Sequence, residues 1–163
     1  MKIRMQGGVA FYRDLVNGPA AWTQSGLVDT PSWRVNCTGP GTSLVPSLAS
    51  ASLPKLGSSY SVTLADALPG TFAVLASGLS DSTWNGGALP AALAGAPGCT
   101  LFVDPVVLDA VATSVTGTGS TSFAVPNSAV LIGLQVFHQW GVLDAVNSLG
   151  IVMSDAGRAS IGN

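Results

Sequence analysis

The sequence predicts an all-β protein: an antiparallel β-sandwich of jelly-roll type, with about eight strands and at most one or two short helical turns. Three observations point there. Only 9% of the 163 residues are charged, and all eight acids are Asp, so the Glu and Lys that coat helix surfaces are nearly missing. Gly 20 and Pro 10, with 19 Ser and 12 Thr, punctuate the chain at short intervals. Between them lie short β-branched runs at the spacing of sandwich strands.

The elements follow in order. Residues 1–36 hold three of the four Arg (Arg4, Arg13, Arg34) and two of the four Trp (Trp22, Trp33), which marks them as an N-terminal extension packing on the domain. The sandwich domain is expected over 37–163. Pro40, Pro46 and Pro54 bar a helix from 38–58. Tyr60-Ser61-Val62-Thr63-Leu64-Ala65 alternates with period two, and Thr71 to Ala76 follows Pro69-Gly70, so 60–77 reads as a hairpin. Asn85-Gly86 is a turn signal. Leu89 to Ala96 is Ala/Leu-rich and reads as one or two helical turns. Thr100 to Val103, Val106 to Val115 and Thr121 to Val125 read as strands. Leu131 to Leu143 is the strongest strand region. Leu149 to Met153 and Arg158 to Ile161 close the chain around a tight turn at Asp155-Ala156-Gly157.

Composition excludes several function classes. A net charge of −2 leaves no basic footprint for nucleic acid. Mean hydropathy is high, at +0.48, yet no apolar run approaches the roughly 20 residues of a membrane span. Abundant apolar residues argue against disorder. The N-terminal stretch, interrupted by Gln6, Gly7, Gly8, Tyr12, Arg13 and Asp14, makes a poor signal peptide, although the Ser/Thr/Gly-rich composition is that of an extracellular or cell-surface bacterial β-protein. Cys37 and Cys99 are too few for a metal cluster. Bridged, they would close a loop of about 60 residues and stabilise by roughly 4 kcal/mol; the alternative is two buried thiols acting as small hydrophobes.

Chemistry is sought in two places. In Asp81-Ser82-Thr83-Trp84-Asn85-Gly86, oxygen-bearing side chains alternate, as in the first half of a Ca²⁺ loop. Asp81, Thr83 and Asn85 are the candidate Ca²⁺ ligands. Position 92 is Ala rather than a bidentate Glu, which excludes an EF-hand. The competing reading is a plain Asn-Gly β-turn. Trp84 with Asn85 is a candidate sugar-gripping pair; otherwise Trp84 is a lid over the core. His138, the one histidine, shares a strand face with Leu134, Val136 and Trp140. As a base it would pair with Asp104, Asp109 or Asp144; as a structural residue it would simply be hydrogen-bonded inside the core. No Gly-x-Ser-x-Gly elbow, no zinc-ligand cluster and no phosphate loop is present. Asn36-Cys37-Thr38 scans as a glycosylation sequon, which the bacterial composition discounts.

A set of short motifs carries a resemblance. It runs from Leu53-Pro54-Lys55-Leu56-Gly57-Ser58 through Trp84-Asn85-Gly86, Leu89-Pro90, Gly95 to Leu101 and Val125-Pro126-Asn127. It continues with Gly133-Leu134-Gln135, Gln139, Leu143-Asp144, Asn147, Leu149-Gly150 and Ser154 to Gly162. Together they resemble a C-terminal β-sandwich module of secreted proteins from planctomycete-like and myxobacterium-like bacteria, over residues 37–163. The resemblance implies an extracellular appendage, carries over no catalytic residues, and matches Cys37 and Cys99 to the module's cysteine pattern, which implies the disulfide.

Three functions are then open. The first is a secreted non-catalytic binding or attachment module, carbohydrate-binding and Ca²⁺-stabilised. The second is a small Ca²⁺-assisted hydrolase of esters or lactones using His138 with Asp104 or Asp144. The third is a structural protein whose sparse charge lets it form a surface layer or homo-oligomer.

Overall fold

A computed structural model describes residues 45–163 and, before them, three N-terminal strands. These are β1 (Arg4–Gln6), β2 (Val9–Phe11) and β3 (Ala21–Gln24). The longer strands that follow are β4 (Ser47–Ser50), β5 (Ser59–Ala65) and β6 (Phe72–Gly78). Four two-residue strands come next: β7 (Thr83–Trp84), β8 (Gly87–Ala88), β9 (Ala91–Ala92) and β10 (Thr100–Leu101). Then come β11 (Val107–Ala112), β12 (Gly119–Ala124), β13 (Gln135–Leu143) and β14 (Ile151–Ser160). Ala129–Leu131 forms one 3-10 turn. The fold is all-β, every strand pair is antiparallel, and no helix among the described residues is long and apolar enough to cross a membrane.

Two sheets face each other. One has the order β11-β6-β13-β14-β3, the other β12-β5-β4. Period-two alternation aims Leu48, Tyr60, Val62 and Leu64 from the smaller sheet at Ala73, Leu75, Trp140 and Val142 from the larger, and these pack as one buried core. The Trp140 indole N–H donates to the Thr63 carbonyl at 3.2 Å, so the largest buried side chain also ties the sheets together. The outer face of the larger sheet is partly covered by the segment 89–104. Leu89, Ala96, Cys99 and Leu101 pack there on Val152 and Met153, and Val103 packs on Ala76, Phe137 and Ala156.

Three local expectations are corrected. The segment 60–77 is not a hairpin: β5 and β6 lie in different sheets, and Pro69-Gly70 is a corner between them. Leu89 to Ala96 is not helical. It contains β9, which pairs with β10, because Pro90 and Pro97 frame too short a stretch for a helix and its apolar residues are needed as cover for the sheet. Asp155-Ala156-Gly157 is no turn. β14 runs straight through it, the pairing with β13 shifting between Gln139 and Gly141, and the Asp155 carboxylate accepts the Leu48 N–H at 2.7 Å. The same Asp chemistry that signals a turn here caps the neighbouring sheet.

Many of the motif residues that carry the resemblance are fasteners. The Leu56 N–H donates to Gly162 and the Gly162 N–H to Pro54, so the segment between β4 and β5 is bonded to the end of the chain. Gly57 and Ser58 bond the backbone of Val125. Asn147 Nδ2 donates to the Ile151 carbonyl at 2.7 Å while Oδ1 accepts the Gly150 N–H at 2.9 Å, which closes the loop between β13 and β14. Asn147→Ala is expected to lower the unfolding free energy by about 2 kcal/mol, read as a shift of the urea midpoint.

Candidate functional site

His138 sits in the middle of β13, and strand register puts Ser77 of β6 beside it. Its side chain points into the space between the sheets and is fully buried. Ser77 Oγ lies 2.8 Å from Nδ1, and Tyr60 Oη, reaching across from β5, lies 2.9 Å from Nε2. Phe123 of β12 covers the ring, its centroid 4.9 Å away, and stacks on Tyr60 at 5.4 Å. A neutral imidazole offers one donor and one acceptor, and two hydroxyls satisfy both without any charge. Burial drives the His138 pKa down to about 4 and pushes the Tyr60 phenol up to about 12. Hydroxyls thus hold both nitrogens, the arrangement of a structural histidine hydrogen-bonded inside the core.

The three carboxylates named as its candidate partners, Asp104, Asp109 and Asp144, are not among the bonds its ring makes to Tyr60 and Ser77. Asp104 Oδ1 accepts the Ser80 N–H at 2.8 Å, and its own N–H donates to the Ser80 carbonyl at 3.0 Å. The backbone passes so close there that a Cβ on Gly78 would run into the Asp104 carbonyl and carboxylate, which is why that position has no side chain. Asp104 therefore anchors the root of the 80–88 loop. Asp144 follows β13, half-buried, with its N–H donating to the Gly150 carbonyl. Asp109 lies within β11.

The loop anchored by Asp104 is a tight hairpin. β7 and β8 pair through Thr83↔Ala88 and Trp84↔Gly87. Asn85 and Gly86 turn the chain with φ of 50° and 82°, the left-handed pair that a two-residue hairpin demands. Ser80 Oγ accepts the N–H groups of Ser82 and Thr83 at 3.2 and 3.0 Å and lies 3.3 Å from the Thr83 hydroxyl. Asp81, Thr83, Trp84 and Asn85 are all exposed on this one element. Trp84 is 42% exposed. Among the described residues no group of three or more His, Cys, Asp or Glu is gathered for a metal ion. Cys99 is buried under the 89–104 cover; Cys37 and the sequon that contains it lie outside the described residues.

Sequence reasoning missed Tyr60, Ser77 and Phe123 as partners of His138, and Gln139 as a buried polar residue. A lone histidine on an apolar face announces that it needs hydrogen bonds, but its partners lie 78 and 61 residues away along the chain. No family model, no curated protein and no solved structure matches the chain.

Proposed function

We propose that the chain is a secreted, non-catalytic binding module, and that the β7–β8 hairpin is the element with which it grips carbohydrate. The observation that carries this reading is Trp84, a large ring half out of the surface on a turn that its own backbone and Ser80 hold rigid. An exposed aromatic on a preorganised support loses little entropy on binding, and the neighbouring Asp81 and Asn85 supply hydroxyl-binding groups. The burial of His138 and the two hydroxyls on its ring nitrogens favour binding over hydrolysis. Secretion is supported by the composition and by the absence of any free cysteine among the described residues, which accords with a Cys37–Cys99 bridge. Membership of the secreted β-sandwich modules is part of the same proposal.

Ca²⁺ belongs to this proposal as a stabiliser of the hairpin through Asp81, Thr83 and Asn85. With one carboxylate the affinity would be weak, so millimolar Ca²⁺ should raise Tm slightly in the native chain and not in Asp81→Ala. The main test is retention on insoluble polysaccharides such as cellulose, chitin and xylan. Trp84→Ala is expected to cut retention at least about tenfold with Tm unchanged, since the ring lies outside the packed clusters. Absence of retention on every polysaccharide, or equal retention by the variant, refutes the reading.

A further inference from the structure

Among the described residues β11 is an edge of the larger sheet, bonded to β6 on one side. Natural edges are blunted by Lys, Pro, bulges or short length. β11 lacks Lys, Pro and short length: it pairs over six residues in unbroken register and carries Val107, Leu108, Ala110, Val111 and Ala112, with Asp109, on the inner face, its one charge. The contrast with β12, the edge of the facing sheet, is direct, since Ser120 and Ser122 make that edge polar and exposed. Around β11 the exposed surface stays apolar, with Leu108 62% and Phe72 59% exposed and both on the outer face of the sheet.

The backbone says which groups are on offer. The Thr113 N–H donates to the Thr71 carbonyl in line with the β11–β6 register. In an antiparallel ladder every second residue bonds the same neighbour, so Val111, Asp109 and Val107 also turn their N–H and C=O groups toward β6. Leu108, Ala110 and Ala112 therefore aim theirs away from β6, at the side where no strand pairs among the described residues.

We propose that β11 pairs with β11 of a second copy of this chain, antiparallel about a two-fold axis at Ala110, joining the two larger sheets into one. In that register Ala110 opposes Ala110, Leu108 opposes Ala112, and every outward N–H meets an outward C=O. Residues of the outer face meet residues of the outer face, so the apolar surface of each copy continues into the other. Asp109 opposes Val111 and not its own copy, which spares the pair a like-charge contact. A centre at Asp109 would place the two carboxylates opposite each other. A net charge of −2 adds little repulsion between copies. The interface is isologous and closed, so it stops at a dimer and does not propagate into fibres.

The experiment is sedimentation of the full chain over a range from about 1 to 200 μM. The native chain should show twice the monomer mass at the upper end. Ala110→Pro, which removes an outward N–H, and Ala110→Lys, which sets two ammonium groups opposite each other, should each weaken association at least tenfold with the far-UV spectrum unchanged. Two variants are used so that a folding defect in one does not end the test. For the register, Ala110→Cys should form an intermolecular disulfide under mild oxidation, because two-fold related Cα atoms in such a pair lie about 5.5 Å apart; Leu108→Cys should not. A monomer at every concentration, association unaffected by both Ala110 variants, or preferential cross-linking through Leu108→Cys overturns the proposal.

Discussion

Gln139→Leu is expected to destabilise the fold by about 4 kcal/mol, although the replacement has nearly the same size and is more apolar. Gln139 is fully buried on β13, on the face opposite His138. Its amide makes three bonds. Nε2 donates to the Thr100 and Ser154 carbonyls, each at 2.9 Å, and Oε1 accepts the Phe102 N–H at 2.9 Å. Two of these hold the 100–102 segment onto the outer face of the sheet, where β10 is too short to be held by its own pairing with β9. Leucine would fill the space and leave two carbonyls and an N–H without the bonds that the amide gives them. Each such group costs about 1–3 kcal/mol, against which the added apolar contact is small. Urea denaturation measures the loss. Hydrogen exchange at the Phe102 amide should accelerate more than exchange in β5, because the cover loosens before the sandwich does. A loss under 1 kcal/mol would mean that water or a shifted backbone replaces the glutamine.

The fold class was legible because it depends on local signals: missing Glu, frequent Gly and Pro, and period-two alternation in segments such as Tyr60 to Ala65. The strand partners were not. Pro69-Gly70 looks the same whether it turns a hairpin or carries the chain from one sheet to the other, and only the later strands β11, β12 and β13 decide which. Asp155 shows the same limit, since its turn-forming chemistry is also the chemistry that accepts the Leu48 N–H. For the site, the hairpin at Asn85-Gly86 could be read directly, as its geometry is set by two adjacent residues. The burial of His138 could be suspected from its apolar neighbours, but its hydroxyl partners come from two other strands and leave no trace at 138. Several motifs of the resemblance, among them Gly57, Gln139, Asn147 and Gly162, are fasteners in the structure. Such residues specify one scaffold and hold its loops in place.

Acid should weaken the protein through His138 alone by about 3 kcal/mol between pH 7 and pH 4. The ring is held neutral by burial, with a folded pKa of about 4 against 6.5 in the unfolded chain. Above pH 6.5 neither state binds the proton and the stability is at its full value. As pH falls below 6.5 the unfolded chain takes up a proton that the folded chain refuses, so stability drops steadily. Below about pH 4 both states are protonated and the loss levels off. His138→Gln removes the titration and keeps an acceptor and a donor for Tyr60 and Ser77. The variant will start less stable at pH 7, because Phe123 and Tyr60 lose the ring they pack on. Its unfolding free energy should nevertheless fall by about 3 kcal/mol less than that of the native chain over this window, so the two curves converge in acid. Curves that stay parallel from pH 7 to pH 4 would show that the imidazole titrates in the folded protein much as it does in water. The sealed hydroxyl cage would then have to open at neutral pH, and with it the argument that His138 serves the core and not a substrate.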